Sequence, residues 1–123
     1  MTHRHRQMTR MNEEEPASPV SDLAFHILLA LGAGPSHGYA IGKDVEEQSD
    51  GRLDPTTGAL YQALRRLTEE GLIVPAEGRG DADTRRKYFA LTKQGRRAAA
   101  KEAQRLDGLV RAARQRKLYA QRA

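Results

Sequence analysis

Thr56-Thr-Gly-Ala-Leu-Tyr-Gln-Ala-Leu-Arg-Arg-Leu-Thr-Glu-Glu-Gly-Leu72 is the stretch on which the reading of this chain turns. Leu60, Leu64 and Leu67 recur at i, i+4 and i+7, which places them on one face of a helix. Thr56 or Thr57 can cap its start through a hydroxyl oxygen, and Gly71 can end it in the left-handed conformation. The leucine face belongs in a core. The opposite face carries Thr57, Gly58, Tyr61, Gln62 and Arg65, with Arg66 at its margin, and no acid precedes Glu69. A helix that is polar outward and acid-free over roughly its first three turns suits the major groove of DNA. Taken alone it reads equally well as a solvated surface helix, so the flanking segments must decide.

Upstream, Asp54-Pro55 introduces this helix, Leu53 anchors the approach, and Ser49-Asp-Gly-Arg52 reads as a turn. Before the turn, Ser36 caps a helix expected over about His37 to Gln48. Tyr39, Ile41 and Val45 are its apolar contacts, with Tyr39 read as a core residue, and Gly38 and Gly42 mark close helix approach. Further back, Ser21 or Asp22 caps a helix from Leu23 to about Ala33 that is apolar on nearly every side and therefore buried on more than one face. His26 interrupts it as a packed or hydrogen-bonded residue. Residues 1–19 are polar and aperiodic, with Pro16, Pro19 and the triplet Glu13-Glu14-Glu15, and read as a disordered arm. His3 and His5 lie there without further ligands and make no metal site.

Downstream, Leu72 to Glu77 is a short strand, and Pro75, which lacks an N–H, puts it at an edge or a strand end. Gly78 to Thr84 is polar and flexible. Arg85 to Leu91 alternates with period two, setting Arg86, Tyr88 and Ala90 opposite Lys87, Phe89 and Leu91. Two strands around a charged tip form a basic hairpin, with Tyr88 packed at its base. Three helices followed by such a hairpin predict a winged helix-turn-helix over residues 20–92, mainly α with a small β-hairpin. Thr92 then caps a last helix, Lys93 to about Tyr119. Ala99, Ala103, Leu106, Val110 and Ala113 step along it by 4, 3, 4, 3, a short heptad seam that suggests pairing with a second copy. The other reading is a long helix lying on its own domain. Residues 93–123 are accordingly assigned to dimerisation, with Phe25 and Leu28 of the apolar first helix contributing.

Charge agrees with this division. Residues 1–78 hold 7 basic and 12 acidic side chains, whereas residues 79–123 hold 14 and 4, within a net charge of +5. Such segregation points to a polyanion partner rather than to solubility alone. With no cysteine there is no disulfide framework, thiolate zinc site or cysteine nucleophile. The four histidines and scattered carboxylates are not spaced as a catalytic pair, so no enzyme and no cofactor is expected. No apolar run approaches the ~20 residues of a membrane span and no signal peptide is visible, so a cytoplasmic protein is the expectation.

In His37-Gly38-Tyr39, Thr57 through Leu67, Glu70-Gly-Leu-Ile73, Arg85-Arg-Lys-Tyr-Phe89 and Leu91-Thr-Lys-Gln-Gly95 the chain resembles PadR family transcriptional regulators. The resemblance covers Leu23 to about Arg97, and the single C-terminal helix is similar to the shorter subfamily. It implies a homodimer, most often a repressor, in some members responsive to phenolic acids or hydrophobic drugs. Gln62 stands where the family often has proline and adds an amide that can read a base. The chain has no tryptophan, so the indole sandwich by which some relatives hold flat drugs does not carry over.

The expected function is a sequence-specific, dimeric DNA-binding regulator acting on a palindromic operator. Tyr61, Gln62 and Arg65 would meet base edges or nearby phosphates, Thr56 and Thr57 phosphate at the helix start, and Arg66 the margin. Arg79, Arg85, Arg86 and Lys87 would seat the wing on the backbone or in the minor groove. An effector site is expected where the first helix faces the alanine seam, lined by Phe25, Leu28, Leu106 and Val110. The alternative is a winged-helix module that docks on protein or RNA without operator binding.

Overall fold

A computed structural model describes residues 20–77 and 86–119. The arm expected over residues 1–19, the hairpin tip with Arg79 and Arg85, and residues 120–123 lie outside this description. Helix α1, Asp22–Gly32, starts at Ser21, whose hydroxyl oxygen accepts from the Ala24 N–H at 3.2 Å. A helix apolar on most sides needs cover on several, and α1 receives it on all but the side of Leu29, which is 44% exposed. Ile27, Leu28, Ala30 and Leu31 are buried among the elements that follow.

Those elements are β1 (Ser36–His37), α2 (Gly38–Gln48), α3 (Thr57–Glu69), β2 (Ile73–Ala76), β3 (Tyr88–Leu91) and α4 (Lys93–Gln115). The strands form one antiparallel sheet in the order β1-β3-β2, with Ser36 opposite Phe89, His37 opposite Tyr88 and Ile73 opposite Leu91. One core joins Ile27, Leu28 and Leu31 of α1 to Ile41 and Val45 of α2, Leu60, Leu64 and Leu67 of α3, and Ile73 and Phe89 of the sheet. Three helices and a β2–β3 hairpin in this arrangement are a winged helix-turn-helix.

The first strand corrects the expected start of α2. Ser36 and His37 are engaged by β3, so the helix begins only at Gly38. His37, not Ser36, is its cap, with the imidazole Nδ1 accepting from the Ala40 N–H at 3.2 Å. Tyr39 is the second correction, because it is 66% exposed rather than core. Ile41 and Val45 own the inner face of α2, and a residue two positions before Ile41 is turned about 200° around the helix from it. Several ends also draw in: α4 reaches Gln115 rather than Tyr119, and β3 starts at Tyr88.

Ser49 organises the turn between α2 and α3. Its buried hydroxyl oxygen accepts from the Leu53 N–H at 2.9 Å and lies within donating distance of the carbonyls of Glu46, 3.2 Å, and Leu53, 3.3 Å. Asp50 and Gly51 both take positive φ, 59° and 81°, a conformation that aspartate tolerates and glycine adopts freely. At the other end of α3, Gly71 takes φ 80° and the Leu72 N–H returns to the Leu67 carbonyl at 3.0 Å.

The start of α4 is tied to that same chain reversal. Thr92 Oγ1 donates to the Gly71 carbonyl at 2.7 Å and accepts from the Gly95 N–H at 2.9 Å, while the Thr92 N–H donates to the Leu72 carbonyl at 3.1 Å. A Cβ at Gly95 would run into that Leu72 carbonyl oxygen, so only glycine lets α4 lie so close. Beyond it, Ala98 and Glu102 are buried. Glu102 stays charged there because Arg105 one turn on grips it at both ends, Nε to Oε1 at 3.1 Å and Nη2 to Oε2 at 2.6 Å. That hydrogen bond holds the Glu102 carboxyl below the usual glutamate range, against the opposing effect of burial.

Candidate nucleic-acid interface

Helix α3 is aimed by its leucines. Leu60, Leu64 and Leu67 are 6%, 1% and 3% exposed, so the helix cannot roll without uncovering them. Thr56 caps the start, Oγ1 accepting from the Ala59 N–H at 3.1 Å. Thr57, Gly58, Tyr61, Gln62, Arg65 and Arg66 consequently face outward together, all exposed. Tyr61 rests its ring edge and hydroxyl over Gly38, where a Cβ on α2 would collide with it. The glycine thus fixes which way the phenol leans, a role close to the helix approach expected at that position.

Arg86 and Lys87 lie exposed just ahead of β3, at the root of the hairpin. Arg86 Nη1 stands 2.8 Å from His37 Nε2, and the His37 ring meets Tyr88 edge to face at 5.2 Å between centroids. Tyr88 is half-buried. A guanidinium only donates, and so does the Ala40 N–H on the opposite ring nitrogen. A neutral imidazole has one lone-pair nitrogen, so these two donors compete for it. Sequence patterning gave His37 no such place, because a two-residue strand has no periodicity to detect.

The end of α2 and the turn that follows it are braced from α1. Arg52, in the turn, donates to Asp22 at 2.8 Å, and His26 stands 3.0 Å from the Gln48 side-chain oxygen and 3.5 Å from Asp22. Arg52 holds the Asp22 carboxyl below its ordinary range. His26 is therefore a hydrogen-bonded residue of the scaffold. Among the described residues no group of three or more His, Asp or Glu side chains gathers as a cation site.

The residues proposed for pairing fall into two groups. Leu28 is wholly buried in its own chain's core and has no surface to offer a partner or an effector, and Ala99 packs against that core. Phe25, Leu106 and Ala113 are partly covered, Ala103 is exposed, and Val110 is 37% exposed beside Leu109 at 56%. The inward stripe of α4 is Gly95, Ala98 and Glu102; in its second half Leu106 and Ala113 are only partly covered and Leu109 and Val110 are exposed.

A winged helix-turn-helix with a basic, acid-poor helix turned outward defines the class, and comparison with known proteins places the chain within it. Residues 27–101 match the transcriptional regulator PadR-like family, and the chain belongs to that family of transcriptional regulators. It is 42% identical over 93 residues to an uncharacterised 37.1 kDa protein of transposon TN4556 from Streptomyces fradiae, covering 73% of this chain and 25% of that one. It is 36% identical over 74 residues to the transcriptional regulator YqjI of Escherichia coli, covering 60% of this chain and 34% of that one. The chain therefore spans about a quarter to a third of the curated relatives it matches. Bacillus subtilis PadR, solved in complex with operator DNA, superposes with a TM-score of 0.58 at 25% identity over 68% of this chain and 46% of that one.

Proposed function

We propose that this protein is a homodimeric, sequence-specific DNA-binding repressor. One observation carries the reading: the buried leucines of α3 leave Thr57, Tyr61, Gln62 and Arg65 as a single outward face, while Arg86 and Lys87 stand exposed at the wing root. The operator complex of the B. subtilis relative supports it. Residues 20–92 form the DNA-binding unit, residues 93–123 carry dimerisation, and residues 1–19 are an arm outside both. Thr56 and Thr57 bind phosphate, Gln62 pairs with adenine and Arg65 with guanine in the major groove, Arg66 lies at the margin, and Arg79, Arg85, Arg86 and Lys87 seat the wing. The palindromic operator lies in the cytoplasm, where the protein acts. A hydrophobic or phenolic effector relieves repression from the dimer interface, where α1 faces the seam of α4, beside Phe25, Leu106 and Val110.

Mapping bound fragments across the protein's own genome by sequencing tests the reading directly, since a repressor yields a shared palindromic motif at promoters. Gln62→Ala then relaxes one position in each half-site of that motif, by ~1–3 kcal/mol of discrimination. Arg86→Ala weakens specific and random duplex alike. A protein that retards no duplex would sink the reading.

A further inference from the structure

We infer that Tyr39 and Lys43 of α2 form a second DNA-backbone contact, carrying the interface from α3 across α2 to the wing root. The inference rests on the DNA-binding reading above and extends it to α2, where the sequence placed Tyr39 in the core and gave Lys43 no role.

Two surface clefts meet at this pair. One runs between α2 and α3, where Tyr39 and Lys43 share its walls with Thr57 and Tyr61. The other opens towards the hairpin, where the same two residues stand with His37 and Arg86. Tyr39 and Lys43 are thus the ridge common to both, lying between the outward face of α3 and Arg86 at the root of the wing. Tyr39 is 66% exposed although it is a large aromatic residue, and Lys43 sits one turn further along the same face with its ammonium 5.9 Å from the centre of the Tyr39 ring. The ring therefore steadies the lysine charge beside a phenol that can donate.

A phosphodiester is the partner that fits. It takes an ammonium and a hydroxyl donor without base identity, and a duplex seated on α3 has its backbone passing the helix that precedes it. Acids bound the track on both sides: Glu46 and Asp54 in the first cleft, Asp44 and Glu47 in the second. Glu46 lies seven residues beyond Tyr39, roughly two turns, so the strand is confined to the first half of α2.

The test uses the full-length protein, a duplex selected from its own genome and a random-sequence duplex, each titrated across a salt series. Lys43→Ala lowers affinity for both duplexes in equal proportion and makes the log–log salt slope shallower by about 0.9 per protomer engaged. Tyr39→Phe lowers both by roughly 2- to 10-fold at unchanged slope, because a neutral hydrogen bond releases no counterion. Both residues are exposed, so melting temperatures stay at the parental value. Arg111→Ala removes one charge from α4 and leaves both affinities unchanged. An unaltered slope in Lys43→Ala, or an equal loss in Arg111→Ala, overturns the inference while the parent's own binding leaves the wider reading standing. A parent that binds neither duplex overturns both.

Discussion

Helices α3 and α4 begin alike and finish differently. Each is capped by a threonine whose hydroxyl accepts from the N–H three residues on, at 3.1 Å for Thr56 and 2.9 Å for Thr92. Each carries an amphipathic stripe. In α3 the stripe is covered from end to end by the chain itself. In α4 full burial ends at Glu102, and Leu109 beyond it is 56% exposed. Over 23 residues α4 runs roughly 35 Å, about the diameter of a small domain, whereas the 13 residues of α3 run roughly 20 Å. An amphipathic pattern therefore says that a helix has a face to bury, and leaves open whether its own chain can bury it.

The contrast can be broken at either helix. Leu64→Ala empties a fully enclosed position of α3 and should cost about 2–5 kcal/mol, read as a lowered denaturation midpoint that does not vary with protein concentration. Leu106→Asp places a charge on the half-covered stripe of α4. If that stripe meets its copy, two like charges face one another, and sedimentation shows monomer while operator affinity falls by at least ~100-fold and weak nonspecific binding persists. A variant that stays dimeric and binds would move the interface to α1. Thr56→Ala sharpens the comparison at the caps, destabilising by ~1 kcal/mol through the orphaned N–H groups of α3.

The smallest effect is electrostatic. Because the folded state holds the Glu102 carboxyl below its usual range, the Arg105 pairing stabilises above that range. Its contribution is lost as pH falls through the usual range towards the lowered value. Arg105 is about half exposed, so solvent screens much of it. Between about pH 7 and about pH 3 the parent should lose slightly more stability than Glu102→Gln. Equal losses by chemical denaturation would show that the pair does not couple to folding.

Most of the winged domain was legible because it obeys periodicity. Leu60, Leu64 and Leu67 announce α3, and the Tyr88-to-Leu91 alternation announces β3. What escaped was structure made by contacts distant in sequence. Ser36 and His37 look like a helix start until β3 pairs with them. Tyr39 looks like core because it is aromatic and lies near Ile41, but the helical turn carries it outward. Glu102 looks like a surface residue, and only the bidentate Arg105 makes its burial tolerable. On the proposed interface, Thr57, Tyr61, Gln62 and Arg65 were readable as the exposed face opposite the leucines. The contact inferred for Lys43 was not, because it depends on that residue lining clefts towards α3 and the wing at once.

The bonds that Thr92 makes to Gly71 and Leu72, with Gly95 pressed on the Leu72 carbonyl, amount to a fulcrum. The long arm is α4 and the short arm is α3, joined where α3 ends and with little slack between them. A tilt of ~10° about that point carries the far end of α4 by about 6 Å over its ~35 Å length. Conversely, whatever grips the far end through several ångströms of tolerance still holds the reading helix to within a few degrees. The leverage favours accuracy: under the proposed pairing, a loose grip on Val110 and Ala113 near the tip would suffice to set the bearing of α3.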